Sequence, residues 1–166
     1  MVKTLKLQGS QKPLPFPKIL VYNEQKDLPL STSLVREVIL FLLKELKVTT
    51  HEVAVHFVRE SKICHLHETC FNDPSVTDCI TFPMDAPSKK EIYHVLGEAF
   101  ICPKTAVLYA NKHKTDPYCE LYRYLVHCIL HLIGYTDTDP KERARMKRKE
   151  NTCLKKVLQK ARCGIS

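Results

Sequence analysis

Residues 51–60, "HEVAVHFVRE", alternate apolar and polar side chains, and this period of two predicts a half-buried β-strand. The stretch "LSTSLVREVILFLLKELK" has a different pattern, because apolar residues recur every four positions from Leu34 to Leu46. It predicts an amphipathic helix capped at Ser31 or Ser33. Three further strands are predicted at residues 18–24, 77–85 and 94–103, and a short helix at 61–70.

The second half of the chain is predicted to form helices separated by turn-forming residues. One helix begins after Pro103 and is interrupted at "NKHKTDP". Asp116 can cap the next helix with Pro117 at its first position, where the missing N–H costs nothing. Gly134 can adopt the left-handed conformation that ends helices, so this helix is predicted to stop there. A final helix is predicted to begin near Asp139.

Length and composition predict one globular domain over residues 1–166. The chain of 166 residues has the usual size of a single domain, with 44% apolar and 27% charged residues. Strands and helices mixed without strict alternation predict the α+β class, with a small mixed sheet of about four strands packed with helices.

No segment of the sequence resembles a membrane span or a signal peptide. Apolar runs stay below the roughly 18 residues that cross a bilayer, and the N-terminal "MVKTLKLQGSQKPLPFP" has no long apolar stretch. The eight cysteines form no CxxC pair. We therefore expect a cytoplasmic protein without membrane contact and with reduced thiols.

The net positive charge of the chain comes from its last predicted helix. Residues 141–162 contain ten Lys or Arg and two Glu, whereas the rest of the chain contains sixteen basic and sixteen acidic residues. Such a basic segment favours a polyanion partner, nucleic acid first, although a solvated helix face would have the same composition.

A metal-binding pattern lies in "LVHCILHLIGYTDTDP", residues 125–140. His127 and His131 are four residues apart, so on a helix they project from one face and can bind the same ion. In the zinc pattern H-E-x-x-H-x-x-G-x-x-H, typical of metzincins, a glycine and a third ligand follow. Gly134 takes the glycine position here and Asp137 the third-ligand position, with Asp139 as the alternative.

Three protein ligands leave one position of a tetrahedral zinc ion open, which is typical of catalytic zinc. The sequence therefore predicts one Zn²⁺ per chain on a metzincin-like helix, with His127 and His131 as catalytic ligands. Cys128 stands where a metalloprotease has its general-base Glu. The pattern thus favours the metal site and argues against peptide hydrolysis.

The same residues resemble the YbeY family of bacterial endoribonucleases, whose signature is HGxLHLxGYDH. Here the signature stands as "HCILHLIGYTD", with the aspartate Asp137 at its third histidine. Upstream, "TDCITFP" resembles the family's TDVLSFP strand, and "LGEAFIC" resembles LGDIVIC. Phe71 replaces an arginine often found before the first of these strands, and Arg59 is a candidate to supply that positive charge from elsewhere.

The resemblance implies a zinc-dependent, single-strand-specific endoribonuclease acting in 16S rRNA maturation and ribosome quality control. Its substrate would be an rRNA precursor or ribosomal RNA, and the attacking group is either water or the RNA 2′-hydroxyl. A non-catalytic ribosome-assembly factor with a structural metal is the alternative, and a zinc peptidase is the third. Asp78 and Glu120 match acidic family positions but also suit a turn cap and a helix N-terminus.

Overall fold

The helices and strands follow the apolar patterns of the sequence, as a computed structural model shows for residues 16–86 and 93–163. In chain order they are β1 (Lys18–Asn23), α1 (Thr32–Glu45), β2 (Glu52–Phe57), α2 (Glu60–Phe71), β3 (Cys79–Pro83), β4 (Val95–Ile101), α3 (Pro103–His113), α4 (Pro117–Leu132) and α5 (Pro140–Cys163). The expectation of no signal peptide falls mostly on residues 1–15, and most of the loop between β3 and β4 falls on residues 87–92; both stretches lie outside the described ranges.

The four strands form one mixed sheet in the order β1-β2-β4-β3. β1 and β4 each pair with β2 in parallel, whereas β3 pairs with β4 in antiparallel fashion and forms an edge of the sheet. The predicted α+β class with about four strands is confirmed. Because β3 is an edge strand of the sheet that the described residues form, the backbone groups along its outer side have no strand partner within those residues.

The main core lies between one face of the sheet and the helices α1, α4 and α5. Alternate residues of β2, namely Val53, Val55 and Phe57, are fully buried in it. A smaller cluster on the other face includes Ile63 of α2 and Ile80 of β3. Helix α4 therefore packs against the sheet on one side and against α5 on another side.

Polar caps begin both α1 and α4. The Oγ of Ser31 accepts a hydrogen bond from the backbone N–H of Leu34 at 3.3 Å, so Ser31 and not Ser33 caps α1. Asp116 caps α4 through a 2.9 Å hydrogen bond from the N–H of Tyr118. These caps place the start of each helix where the sequence predicts it.

α4 ends in a Schellman motif centred on Gly134. The N–H of Gly134 donates to the carbonyl of His131 at 2.9 Å, and the N–H of Tyr135 donates to the carbonyl of Leu130 at 3.0 Å. Gly134 adopts a φ of 97°, which side chains rarely tolerate. The chain therefore reverses directly after His131 and brings the following loop back over the end of the helix.

Gly97 allows the end of α4 to lie close to the sheet. Its φ is 143°, and a Cβ at this position would lie 2.4 Å from the carbonyl oxygen of Phe82 and 2.9 Å from Cδ2 of Leu132. Leu132 is the last residue of α4. Glycine at position 97 thus sets the spacing between β3, β4 and the helix turn that carries the histidines.

α5 packs on the core through one apolar stripe that includes Leu154, Val157 and Ala161, all of them buried. The stripe extends further toward the N-terminus of the helix than its sequence suggests, because Met146 and Glu150 are also buried, at 2% and 4% exposure. The basic side chains of the helix project mostly from its other faces, where they are exposed.

Candidate metal centre

The last two turns of α4 bring the imidazoles of His127 and His131 together. Their Nε2 atoms are 3.0 Å apart, and the two rings meet edge to face. Two nitrogens bound at about 2.0–2.1 Å to one tetrahedral zinc ion lie roughly 3.3 Å apart. The spacing is therefore close to the one that a shared ion requires.

The Nδ1 atoms of both rings are engaged by oxygens that only accept hydrogen bonds. Nδ1 of His127 lies 3.0 Å from a carboxylate oxygen of Glu150, and Nδ1 of His131 lies 2.9 Å from the carbonyl oxygen of Tyr135. We assign the proton of each neutral ring to Nδ1 on this ground. Both Nε2 atoms then present lone pairs to each other, an arrangement that a cation between them stabilises.

Asp137 supplies a carboxylate beside the histidines. Its Oδ2 lies 3.9 Å from Nε2 of His131, and one donor atom from each of His127, His131 and Asp137 lies within 4.8 Å of the others. Nitrogen and carboxylate oxygen are donors that zinc accepts. The residues present therefore fit a metal ion, and they match the three ligands that the sequence predicts.

Asp139 has a different role in the structure. Its Oδ1 accepts hydrogen bonds from the N–H groups of Lys141 at 2.8 Å and Glu142 at 3.0 Å. It therefore caps α5, and it is not part of the donor cluster found among the described residues. The geometry favours Asp137 over the alternative ligand.

Glu150 of α5 is buried behind His127 and is held by two cations. Nη1 of Arg123 lies 2.9 Å from its Oε1, and Nζ of Lys147 lies 3.3 Å from the same atom. Burial alone would raise the pKa of Glu150, but hydrogen bonds from His127 and Arg123 and the charge of Lys147 outweigh it and lower the pKa to about 2. The carboxylate is therefore charged at neutral pH and fixes the ring of His127.

Glu120 supports the metal site indirectly, through Arg123. It is buried, and its Oε1 lies 3.6 Å from Nε of Arg123 rather than beside a histidine. Arg123 in turn binds Glu150, which binds His127. Glu120 thus helps to orient the arginine that holds the supporting carboxylate.

His131 is kept in the form that binds metals. Burial and the neighbouring His127 lower its pKa, and these effects outweigh the hydrogen bond to the carbonyl of Tyr135 and the nearby Asp137. A neutral imidazole offers the lone pair that coordination requires.

Cys128 is part of the buried core. Its side chain is fully buried, and a hydrogen bond with the Cys128 thiol, together with burial, raises the pKa of Cys79 in β3. The position that bears the general base of metalloproteases thus contributes to the core. Among the cysteines whose side chains are described, all are free thiols.

Two cavities adjoin at the candidate metal site. The first, here called the α5 cavity, has a volume of about 570 Å³ and is lined by His127 and Asp137 together with Arg143, Lys147 and other residues of α5. The second, here called the β3 cavity, has a volume of about 420 Å³. It shares His127 and Asp137 with the first, so the site is open toward both.

The β3 cavity is bordered by the edge strand and by the end of α2. Five consecutive residues, Thr77 to Thr81, line it together with His67 and Phe71. Asp78 belongs to this run, and its Oδ1 also accepts a hydrogen bond from the N–H of Cys79 at 2.9 Å. It therefore fixes the turn before β3 and borders the site at the same time.

Arg59 does not replace the arginine that position 71 lacks. It directly precedes the first residue of α2, and its Nε donates to the carbonyl of Glu24 at 3.1 Å. Phe71 is the last residue of that helix, about 18 Å away along its axis at 1.5 Å per residue. Arg143 lies beside the site instead, and its Nε donates to the carbonyl of Asp137 at 3.2 Å.

The predictions made from the sequence do not include Glu150, Arg143 or His67. Glu150 lies four residues after Met146 and four before Leu154, so a charged residue on the apolar stripe of α5 is a signal of a buried partner. Arg143 and His67 have no comparable signal, because their approach to the site depends on how α5 and α2 pack.

Fold and site together define an α+β protein with a cluster of two histidines and one aspartate that can hold a metal ion. The chain belongs to the Endoribonuclease YbeY family, whose family model matches residues 20–158. An Endoribonuclease YbeY of Chlamydia pneumoniae is 45% identical over 140 residues, which cover 82% of this chain and 89% of the relative. One of Protochlamydia amoebophila is 43% identical over 138 residues, covering 81% and 91%.

The fold is similar to the solution structure of TM1509 from Thermotoga maritima. The TM-score is 0.64 at 25% sequence identity, and the match covers 88% of this chain and 93% of that protein. Within the described ranges, no helix combines the length and the apolar character needed to cross a membrane.

Proposed function

We propose that this chain is a cytoplasmic, zinc-dependent endoribonuclease that cuts single-stranded RNA during 16S rRNA maturation and ribosome quality control. The observation that carries the proposal is the pair of histidine Nε2 atoms 3.0 Å apart with the Asp137 carboxylate beside them. The names of the relatives support RNA as the substrate and internal cleavage as the reaction.

A divalent ion held by these three donors supplies Lewis-acid chemistry at a phosphodiester. The residues of the chain hold and orient the reacting groups. Glu150 and the carbonyl of Tyr135 fix the two imidazoles, while Arg143 and Lys147 line the adjoining α5 cavity. Arginine and lysine side chains bind phosphate oxygens, so these two can hold the strand beside the bond that is cut.

The shape of the site supports cleavage within a strand. Because the α5 cavity and the β3 cavity both include His127 and Asp137, a chain can occupy one, pass the metal site and leave through the other. Single-stranded RNA is therefore the substrate that we propose.

The other hypotheses have less support. A peptidase of this pattern needs a general base after the first histidine, and the buried Cys128 cannot provide one. A non-catalytic assembly factor would share the metal site and the basic helix.

An assay with fluorescent single-stranded RNA and the matching duplex separates the candidates. We expect internal cuts in the single strand only, abolished by a chelator and restored by zinc. RNA that is bound but never cut by the zinc-loaded protein would show an assembly factor instead.

A further inference from the structure

Phe71 is largely exposed beside the candidate metal site and lies outside the apolar clusters that the described residues form. Its side chain belongs to neither apolar cluster, and 58% of the residue is exposed to solvent. A single exposed aromatic residue is ordinary on a protein surface. Phe71 differs because it lines the β3 cavity together with His127, His131 and Asp137.

The ring of Phe71 is carried by an ordered helix end. His67, one turn earlier in α2, lies against it with 5.5 Å between ring centroids and an angle of 54° between planes. Nδ1 of His67 lies 3.0 Å from the carbonyl oxygen of Ser75, which ties α2 to the loop that leads into β3. This support holds the aromatic ring at the cavity wall, which reduces the conformational entropy lost on binding.

The opposite border of the cavity is polar. Side chains of a strand alternate between its two faces, so the consecutive β3 residues Cys79, Ile80 and Thr81 can all line one cavity only through the edge of the strand. That edge presents backbone N–H and C=O groups. The hydroxyl of Thr77 and the carboxylate of Asp78 add two hydrogen-bonding side chains to the same border of the cavity. An aromatic wall facing hydrogen-bonding groups suits a flat ring with a polar rim.

We propose that the β3 cavity binds an unpaired nucleobase, which stacks on Phe71 and meets the edge of β3 with its polar rim. Bases of single-stranded RNA are recognised in this way, by aromatic stacking combined with hydrogen bonds to their edges. The base belongs to a nucleotide next to the phosphate at the metal site. The inference rests on the proposed function and names the part of the chain that binds the base.

The test measures binding of fluorescein-labelled single-stranded RNA by anisotropy, in EDTA so that no RNA is cut. Phe71→Ala and Phe71→Leu remove the aromatic face, and we expect them to raise the Kd about 5- to 150-fold. Phe71→Tyr keeps the face and should stay within about twofold of wild type. Tyr109→Ala is the matched control, since Tyr109 also pairs with a histidine one turn away, His113, but lines neither cavity.

RNAs that carry one abasic nucleotide identify the stacked base. When the abasic nucleotide occupies the position of the stacked base, the RNA should bind wild type and Phe71→Ala with the same weak affinity, because the stacking interaction is already absent. The inference is overturned if Phe71→Leu binds like wild type, or if Phe71→Ala weakens intact RNA and every abasic RNA by the same factor. If the wild type binds no RNA at all, both the proposed function and the inference fail. If RNA binds equally well with and without the aromatic ring of Phe71, only the inference is overturned.

Discussion

Nδ1 of His127 on α4 lies 3.0 Å from Oε2 of Glu150 on α5. The carboxylate is buried and held by Arg123, so it fixes both the orientation of the ring and the nitrogen that faces His131. Partners of this kind raise the basicity of a metal-binding histidine. Glu150 is therefore a positioning residue for the metal site, although it is distant from the histidines in sequence.

Glu150→Ala should lower zinc affinity by about 10- to 100-fold, because His127 loses the group that orients it. Glu150→Gln should lower it less, since the amide oxygen can still accept the hydrogen bond. Competition with a chromogenic chelator measures both. Glu142→Gln is the control, because this acid of α5 pairs with Arg145 at 3.7 Å and is not part of the cluster. Unchanged zinc affinity in Glu150→Ala would contradict a positioning role.

Asp137→Ala and Asp139→Ala should affect different properties of the protein. Asp137→Ala removes a ligand and should lose most bound zinc, while Asp137→His should retain it. Asp139→Ala removes the cap of α5 and should lower the free energy of unfolding by about 1 kcal/mol with zinc content unchanged. Mass spectrometry of bound metal and urea unfolding of the metal-free protein check the pair. Full zinc in Asp137→Ala with zinc missing from Asp139→Ala would reverse the ligand assignment.

RNA binding should depend on a basic face of α5, defined here as Lys141, Arg145, Arg148 and Lys149. Changing all four to Gln should weaken RNA binding and reduce its salt dependence by about 0.7 slope units for each phosphate that the helix no longer neutralises. Lys147 is left intact because it contacts Glu150.

The matched control for the basic face removes the same charge elsewhere. Lys18, Lys26, Lys62 and Lys104 lie outside α5 and line neither cavity at the metal site, so their replacement by Gln should leave the salt slope nearly unchanged. Equal effects of the two quadruple variants would show that only net charge matters. An unchanged slope in the first variant would show that α5 presents a solvated face.

Gly97→Ala should destabilise the protein more than Gly134→Ala. Both positions have positive φ, but only a Cβ at position 97 collides with backbone, the carbonyl oxygen of Phe82. Backbone strain alone costs about 1–3 kcal/mol, and overpacking adds about as much at position 97. Urea unfolding of both metal-free variants measures the difference. Equal losses in the free energy of unfolding would mean that strand β3 shifts away at Phe82 without a cost.

The boundaries of the helices could be predicted because their signals are local. Ser31, Asp116 and Gly134 act through hydrogen bonds or dihedral angles within a few residues, and the structure places them as predicted. The spacing of His127 and His131 is equally local. The donor cluster was therefore predictable from the chain, including Asp137, because the Schellman turn keeps the loop in register with the helix end.

Long-range packing explains what could not be predicted. Glu150 reaches His127 only because α5 lies against α4, and His67 reaches the β3 cavity only because α2 ends beside the edge strand. The strand order is similar, since β4 enters the sheet between β2 and β3. No periodicity in the sequence specifies such neighbours.

The rate of single-turnover RNA cleavage, plotted against measured zinc per chain, tests the central claim most directly. The metal-free protein is loaded in steps, and His127→Ala is treated in parallel. We predict that the rate of the wild type rises linearly to a plateau at about one zinc per chain, and that His127→Ala does not cleave RNA. The RNA affinities of the wild type and His127→Ala should be nearly equal. Cleavage that is independent of zinc content, or retained in His127→Ala, would contradict the account.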